Sequence, residues 1–136
     1  MYNLMRVFAV AFFSFILWVI YLANTGGQSV FFELIRGIPY GDKVGHFCLF
    51  GVLTFIATVG LKFKTFGLAS FRIYYGAALV LLFVILEELS QAFIPARTLD
   101  SMDLLADFFG IGFATLLAYL LNTYRLKRAS TQTDNS

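Results

Sequence analysis

The sequence predicts an all-α integral membrane protein, a bundle of four transmembrane helices with both termini on the cytoplasmic side. Of its 136 residues, 60% are hydrophobic, only 13% are charged and 17 are phenylalanine. Residues 7–32 carry no charged side chain. Their apolar part, 7–23, nearly crosses a hydrocarbon core of roughly 30 Å, because a helix rises about 1.5 Å per residue. This composition excludes a water-soluble globular domain.

Four apolar segments, joined by stretches of roughly 10 to 20 residues, predict the helices of a single domain over residues 1–124. The helices are expected at about 5–23, 44–61, 73–91 and 103–121. The first lacks a small-x-small cleavage pattern at residues 21–23, so we expect it to stay attached and not to be removed as a signal peptide. Residues 125–136, basic and then polar, are predicted to be a disordered cytoplasmic tail.

The division of charge predicts the orientation, because Lys and Arg are retained on the cytoplasmic side. Seven cations lie before the first helix, between the second and third, or after the fourth: Arg6, Lys62, Lys64, Arg72, Arg125, Lys127 and Arg128. Three lie in the loops 24–43 and 92–102: Arg36, Lys43 and Arg97. Both termini are therefore predicted in the cytoplasm and these two loops outside.

The acidic residues gather on the predicted outer side. They are Glu33, Asp42, Glu87, Glu88, Asp100, Asp103 and Asp107, with only Asp134 on the other side. At about 100° per residue, Asp103 and Asp107 share a face with Gly110 and Ala114, and small residues let neighbouring helices approach closely. The third helix presents Gln91 and its glutamates in the same way, and the second presents His46. We infer one polar pocket that opens outward.

Three short motifs follow one another along the chain. They are Asp42-Lys43-Val44-Gly45-His46-Phe47 with Phe50, Glu88-x-x-Gln91 followed by Phe93, Pro95 and Arg97, and Asp103-x-x-x-Asp107-x-x-Gly110. In order and spacing the stretch from about 40 to 115 resembles the VanZ-like family, small bacterial membrane proteins named after a component linked to teicoplanin resistance. Asp107 departs from the Asn that many members carry. The resemblance implies a bacterial cytoplasmic membrane and a link to the cell envelope, but no agreed reaction.

The candidate catalytic residues are His46, as a proton carrier, with Glu88 and Asp103 as acid/base carboxylates. Structural alternatives stay open. His46 could simply hold its helix in place through a hydrogen bond, and Asp103 could simply stabilise the N-terminus of its helix through the helix dipole. A second set is expected to bind the ligand: Lys43, Gln91, Arg97 and Asp107. Arg97 would clamp a phosphate or carboxylate, or else neutralise Asp100 or Asp103.

A metal site is a further expectation, because an acidic pocket repels a phosphate unless a divalent cation intervenes. Mg²⁺ or Ca²⁺ would be held by oxygen ligands from Glu88, Asp103 and Asp107. Cys48 is the only cysteine, so no internal disulfide forms and no zinc motif is present.

Three classes of function remain open. The chain would bind an amphipathic envelope component and so lower susceptibility to teicoplanin-type glycopeptides, or act as an enzyme on a lipid-linked phosphate. The third class is a proton-coupled flippase or small transporter, in which a homodimer would complete the path. In each case the expected partners are membrane lipids or a lipid-linked envelope precursor, and not nucleic acid.

Overall fold

The computed structural model describes residues 2–26, 30–95, 97 and 99–135. Over this part the chain forms five helices and one two-stranded sheet. In chain order they are α1 (Tyr2–Asn24), α2 (Val30–Arg36), α3 (Gly41–Gly60), β1 (Thr65–Leu68), β2 (Phe71–Tyr74), α4 (Tyr75–Gln91) and α5 (Ser101–Asp134). The protein is mostly helical, as the sequence predicts, and α2 is a short helix inside the predicted loop 24–43.

Three helices among the described residues, α1, α3 and α5, are long and apolar enough to span a membrane, which indicates a membrane protein. The remaining predicted span, 73–91, corresponds to α4, which has 17 residues and a rise of only about 26 Å. It is shorter than predicted because the first two residues assigned to it, 73 and 74, belong to β2. The count of four spans therefore stays a prediction.

The strands β1 and β2 form an antiparallel hairpin with Thr65 opposite Tyr74. Phe66 faces Ile73 across the pair, and the Phe66 ring lies 5.1 Å from the ring of Tyr75. The sequence predicts a basic loop here and therefore misses this sheet. The overlooked signal is a run of aromatic and β-branched residues on each side of a two-residue turn.

Helix α5 continues to Asp134, through the segment from residue 125 that the sequence predicts to be a disordered tail. The segment 125–134 contains neither Gly nor Pro, and its Leu, Arg, Lys and Ala are good helix formers. No helix-breaking residue therefore separates this segment from the preceding apolar turns of α5.

Helix α3 lies at the centre and packs against α1, α4 and, most extensively, α5. The inner face of α4 carries Gly76, Val80, Val84, Glu87 and Gln91, which are all buried, so Gln91 and the glutamates face the bundle as the sequence predicts. On α5 the buried face carries both predicted carboxylates together with small residues. This arrangement brings the first turns of α3 and α5 beside the last turn of α4.

Candidate functional site

The starts of α3 and α5 are set by local features of the chain. At Gly41 a Cβ atom would lie 2.0 Å from the carbonyl oxygen of Ile35, so only glycine fits where α2 meets α3. At the start of α5, a carboxylate oxygen of Asp100 accepts a hydrogen bond from the backbone N–H of Met102 at 2.9 Å, as an N-cap residue does. These two starts place Lys43 next to the first turn of α5.

The Lys43 ammonium lies among three carboxylates. Its Nζ is 2.6 Å from Oδ2 of Asp42, 2.7 Å from Oδ2 of Asp100 and 3.0 Å from Oδ1 of Asp103. The ammonium also holds the pKa of the Asp100 carboxyl below its usual value. Asp42 and Asp100 are site residues that the sequence does not single out, although Asp42 stands beside Lys43 in the first motif.

His46 lies between the two carboxylates of α5. Its Nδ1 is 2.8 Å from Oδ1 of Asp107, and its Nε2 is 3.8 Å from Oδ2 of Asp103. Asp107 is completely buried, so its contact with Nδ1 fixes the orientation of the ring. The distance of 3.8 Å between Nε2 and Asp103 is too long for a hydrogen bond. Nε2 is therefore not engaged by Asp103 and can exchange a proton with a ligand.

The last two turns of α4 contribute buried acids. Nε2 of Gln91 donates to both carboxylate oxygens of Glu87, at 3.0 and 3.1 Å. Oε1 of Glu88 accepts a hydrogen bond from the backbone N–H of Asp100 at 2.9 Å. Glu88 therefore joins α4 to the cap of α5, while Gln91 pairs with Glu87, which is not among the predicted site residues.

Arg97 follows α4 and turns toward α1. Its Nη1 lies 3.7 Å from Oε1 of Glu87 and donates to Oδ1 of Asn24 at 3.1 Å. The structure therefore places its ion pair at Glu87, where the sequence suggests Asp100 or Asp103. Asn24 lies on another helix, and nothing in its sequence context predicts this contact.

These side chains surround an open polar cavity of about 640 Å³. It is lined by Arg36, Asp42, Gln91, Arg97, Leu99, Asp100 and Asp103. A smaller cavity of about 100 Å³ lies behind it, with His46, Glu87 and Arg97 in its wall. Of the seven predicted site residues, Gln91, Arg97 and Asp103 line the larger cavity, and His46 and Arg97 line the smaller one. The other three contact residues of these walls: Lys43 contacts Asp103, Glu88 accepts from Asp100, and Asp107 contacts His46.

Four buried acceptor oxygens in or next to this wall make no hydrogen bond among the described residues: Oε2 of Glu88, Oε1 of Gln91, Oδ2 of Asp107 and Oδ1 of Asp103, the last of which lies 3.0 Å from Nζ of Lys43. A buried acceptor without a donor is costly. Each of these oxygens can accept a proton or a hydrogen bond from a bound molecule. The wall is therefore short of donors rather than of acceptors.

The acids that lie close enough to share a metal ion, within the part of the chain that the structure describes, are Asp42, Asp100 and Asp103. The predicted ligands Glu88 and Asp107 instead contact the cap of α5 and His46. Lys43 contacts all three clustered carboxylates and supplies the positive charge there. Mg²⁺ or Ca²⁺ would have to displace this ammonium, so the cluster does not fit a resident metal ion.

Comparisons of the chain with protein-family models, with curated proteins and with solved structures find no match.

Proposed function

We propose that this chain is a VanZ-like protein of the bacterial inner membrane, with four spans and both termini in the cytoplasm. Its polar cavity opens outward and binds the head of an amphipathic cell-envelope component. This binding lowers susceptibility to teicoplanin-type glycopeptides. The observation that carries the proposal is an open polar cavity of about 640 Å³ at one end of a bundle that is apolar along its length.

The charges around the cavity suit a polar head with both acceptors and donors. Arg36 and Arg97 line the cavity, and a guanidinium group binds phosphate and carboxylate in a bidentate manner, through two parallel N–H···O hydrogen bonds. Asp42 and Asp100 lie on the open side, where their carboxylates can accept hydrogen bonds. Because Lys43 already neutralises part of this acidic group, an anionic head can enter without a divalent cation.

A second candidate is an enzyme that acts on the same bound head. The arrangement of Asp107, His46 and Asp103 favours it, since a buried carboxylate orients an imidazole whose other nitrogen faces a second carboxylate. This geometry suits transfer of a proton to or from a ligand. Purified protein in nanodiscs with a labelled lipid-linked precursor distinguishes the two. Turnover shows as product that disappears in Asp103→Asn, whereas a binding protein only retains the precursor.

The proposed role is tested in cells that express the chain and are exposed to teicoplanin. Asp103→Asn and His46→Ala are expected to abolish protection while the protein accumulates normally. The matched control is Asp134→Asn, which removes a carboxylate from the exposed end of α5. Protection by both site variants at the level of the wild type would show that the cavity is not the functional site.

A further inference from the structure

Two apolar grooves follow one another along the outside of the contact between α3 and α5. The first, of about 340 Å³, is lined by Lys43, Val44, Phe47, Ala106 and Phe109. The second, of about 320 Å³, continues from it and is lined by Phe47, Cys48, Gly51, Val52, Phe55, Gly110, Phe113, Ala114 and Leu117. Together these residues form what we call the tail groove. Phe47 belongs to both parts, so the groove is continuous along the helices.

The upper end of the tail groove meets the polar cavity at Lys43. This side chain lines the groove, while its ammonium contacts Asp42, Asp100 and Asp103 in the cavity wall. Lys43 thus has an apolar stem along the groove and a charged end on the carboxylates that line the cavity. A single molecule that reaches past Lys43 therefore contacts both surfaces.

Close packing of two glycines produces the depression. A Cβ atom at Gly110 would lie 2.4 Å from the carbonyl oxygen of Phe47, and one at Gly51 would lie 3.2 Å from the carbonyl oxygen of Gly110. The two backbones approach without side chains between them, while the rings of Phe47 and Phe113 stand beside this contact, 6.0 Å apart. The groove therefore has backbone at its floor and aromatic side chains at its sides.

The length of the tail groove matches one leaflet of a bilayer. From Ala106 at its upper end to Leu117 at its lower end, α5 rises by about 16 Å. Half of a typical hydrocarbon core is about 15 Å. A hydrocarbon tail that begins beside Lys43 would thus be covered along its path to the middle of the membrane.

We infer that the ligand is a lipid of the leaflet next to the polar cavity, with its head in the cavity and one hydrocarbon tail in the tail groove. This inference rests on the proposed function and adds the class of ligand and its path of entry, which is lateral from the membrane. The chain also offers an internal comparison. A separate apolar groove, which lies between α1 and α4 and also has a volume of about 320 Å³, includes Val10, Leu79 and Phe83. It shares no lining residue with the polar cavity.

Photoreactive lipids test the inference on the full chain in phosphatidylcholine nanodiscs. The probes are phosphatidylethanolamine, phosphatidylglycerol and a polyprenyl phosphate, each with a diazirine in its tail and each present as a minor component. After irradiation, mass spectrometry maps the adducts. For at least one probe we expect severalfold more adducts in the tail groove than in the groove between α1 and α4. Equal labelling of the two grooves by all three probes would overturn the inference.

Two matched variants show whether the labelling depends on the groove. Val52→Trp fills the tail groove from its exposed side and is expected to reduce the excess labelling to the level of the other groove. Leu79→Trp, also at an exposed position but in the groove between α1 and α4, should leave the excess unchanged. Loss of the excess in both variants, or in neither, contradicts the inference.

Retention of the same lipids through purification separates this inference from the proposed function. Arg36→Gln, in the cavity wall, tests whether retention depends on the head. If a lipid is retained through the cavity but the tail groove is not preferentially labelled, the path of the tail is wrong and the proposed function stands. If no probe is retained in a way that depends on Arg36 and no excess labelling occurs, both proposals fail.

Discussion

At its first turns α3 meets its neighbours through clustered ion pairs, whereas its last turn is closed by local backbone hydrogen bonds and packs closely against a glycine of α4. Lys43 and His46 contact four carboxylates at the first end. At the second end the chain closes α3 with hydrogen bonds from the N–H of Phe63 to the carbonyl of Thr58 and from Lys62 to Val59. This pair of bonds is a Schellman motif, with Lys62 in the left-handed conformation at a φ of 58°.

Apolar and aromatic packing surrounds the second end. Gly76 of α4 lies directly against Thr58, and the Phe63 ring contacts Tyr74 edge to face, 6.4 Å between centroids. Arg125 lies over the rings of Tyr2 and Phe63, 5.3 Å from each centroid. These contacts join the ends of α1, α3, α4 and α5. Their arrangement is that of a structural core.

This difference supports the proposal that the first end binds the ligand. Buried ion pairs add little net stability, because desolvation of the charges offsets their attraction. A bundle selected only for stability would therefore repeat the packing of the second end at the first. The first end instead retains Asp107 and Glu88 in the interior at a cost in folding free energy, which fits a binding site.

The largest expected effect comes from removing one partner of the buried pair. His46→Leu leaves the Asp107 carboxylate without its partner, and breaking such a pair typically costs about 3–5 kcal/mol. The free energy of unfolding is measured by denaturant titration in detergent micelles. In the double variant His46→Leu/Asp107→Leu no unpaired charge remains, so we expect a smaller loss than in His46→Leu. A double variant less stable than both single variants would show that the pair is a net source of stability.

Gly76→Ala is the corresponding change at the second end. A Cβ atom there would lie 2.6 Å from both the backbone nitrogen and Oγ1 of Thr58, so the helices must separate. Overpacking of this kind costs about 1–3 kcal/mol. Gly112→Ala is the control, since a Cβ at that helical position meets nothing within 4 Å and gains helix propensity of up to about 1 kcal/mol. Similar melting temperatures for the two variants would contradict the close contact.

The buried faces of the helices were the predictable part of this molecule. The 3.6-residue period places Asp103 and Asp107 on the face of α5 with Gly110 and Ala114, and the structure buries all four. Sequence periodicity works here because a helix in the bundle has one inward face. The same argument recovers Gln91 on α4.

The contacts made outside this periodicity were not predictable. The Lys43 cluster depends on Asp100, whose position is set by the turn before α5, and Arg97 reaches Asn24, 73 residues away in sequence. The hairpin between α3 and α4 was missed because four-residue strands give a weak signal beside long apolar helices. The Lys43 cluster and the Arg97–Asn24 contact depend on tertiary contacts that one sequence does not reveal, whereas the hairpin had a local signal that was too weak to decide.

A smaller effect is expected from the hydrogen bond that joins α1 to the second end. Nε of Arg6 donates to the carbonyl oxygen of Gly60 at 2.8 Å, at the C-terminus of α3 where a positive charge is favourable. Arg6→Gln should lower the free energy of unfolding by about 1 kcal/mol. Arg128→Gln removes the same charge from the exposed part of α5 and should change it less. Equal losses would point to net charge and not to this contact.

The smallest effect concerns pH and involves only the first end. Asp100 pairs with Lys43 and caps α5, and these contacts lower its pKa below the ordinary value of 3.8. Because the folded state favours the ionised form, Asp100 stabilises the fold above pH 4 or so, and this contribution is lost as the pH falls through the lowered pKa.

Asp100→Asn keeps a side-chain oxygen for the cap but cannot ionise. The difference in melting temperature between the wild type and Asp100→Asn should therefore be largest near neutral pH and shrink on acidification. Arg6→Gln, at the second end, should differ from the wild type by the same amount across that range. A constant difference for Asp100→Asn would mean that its carboxylate is not paired with Lys43, and the contrast between the two ends would then lose its electrostatic basis.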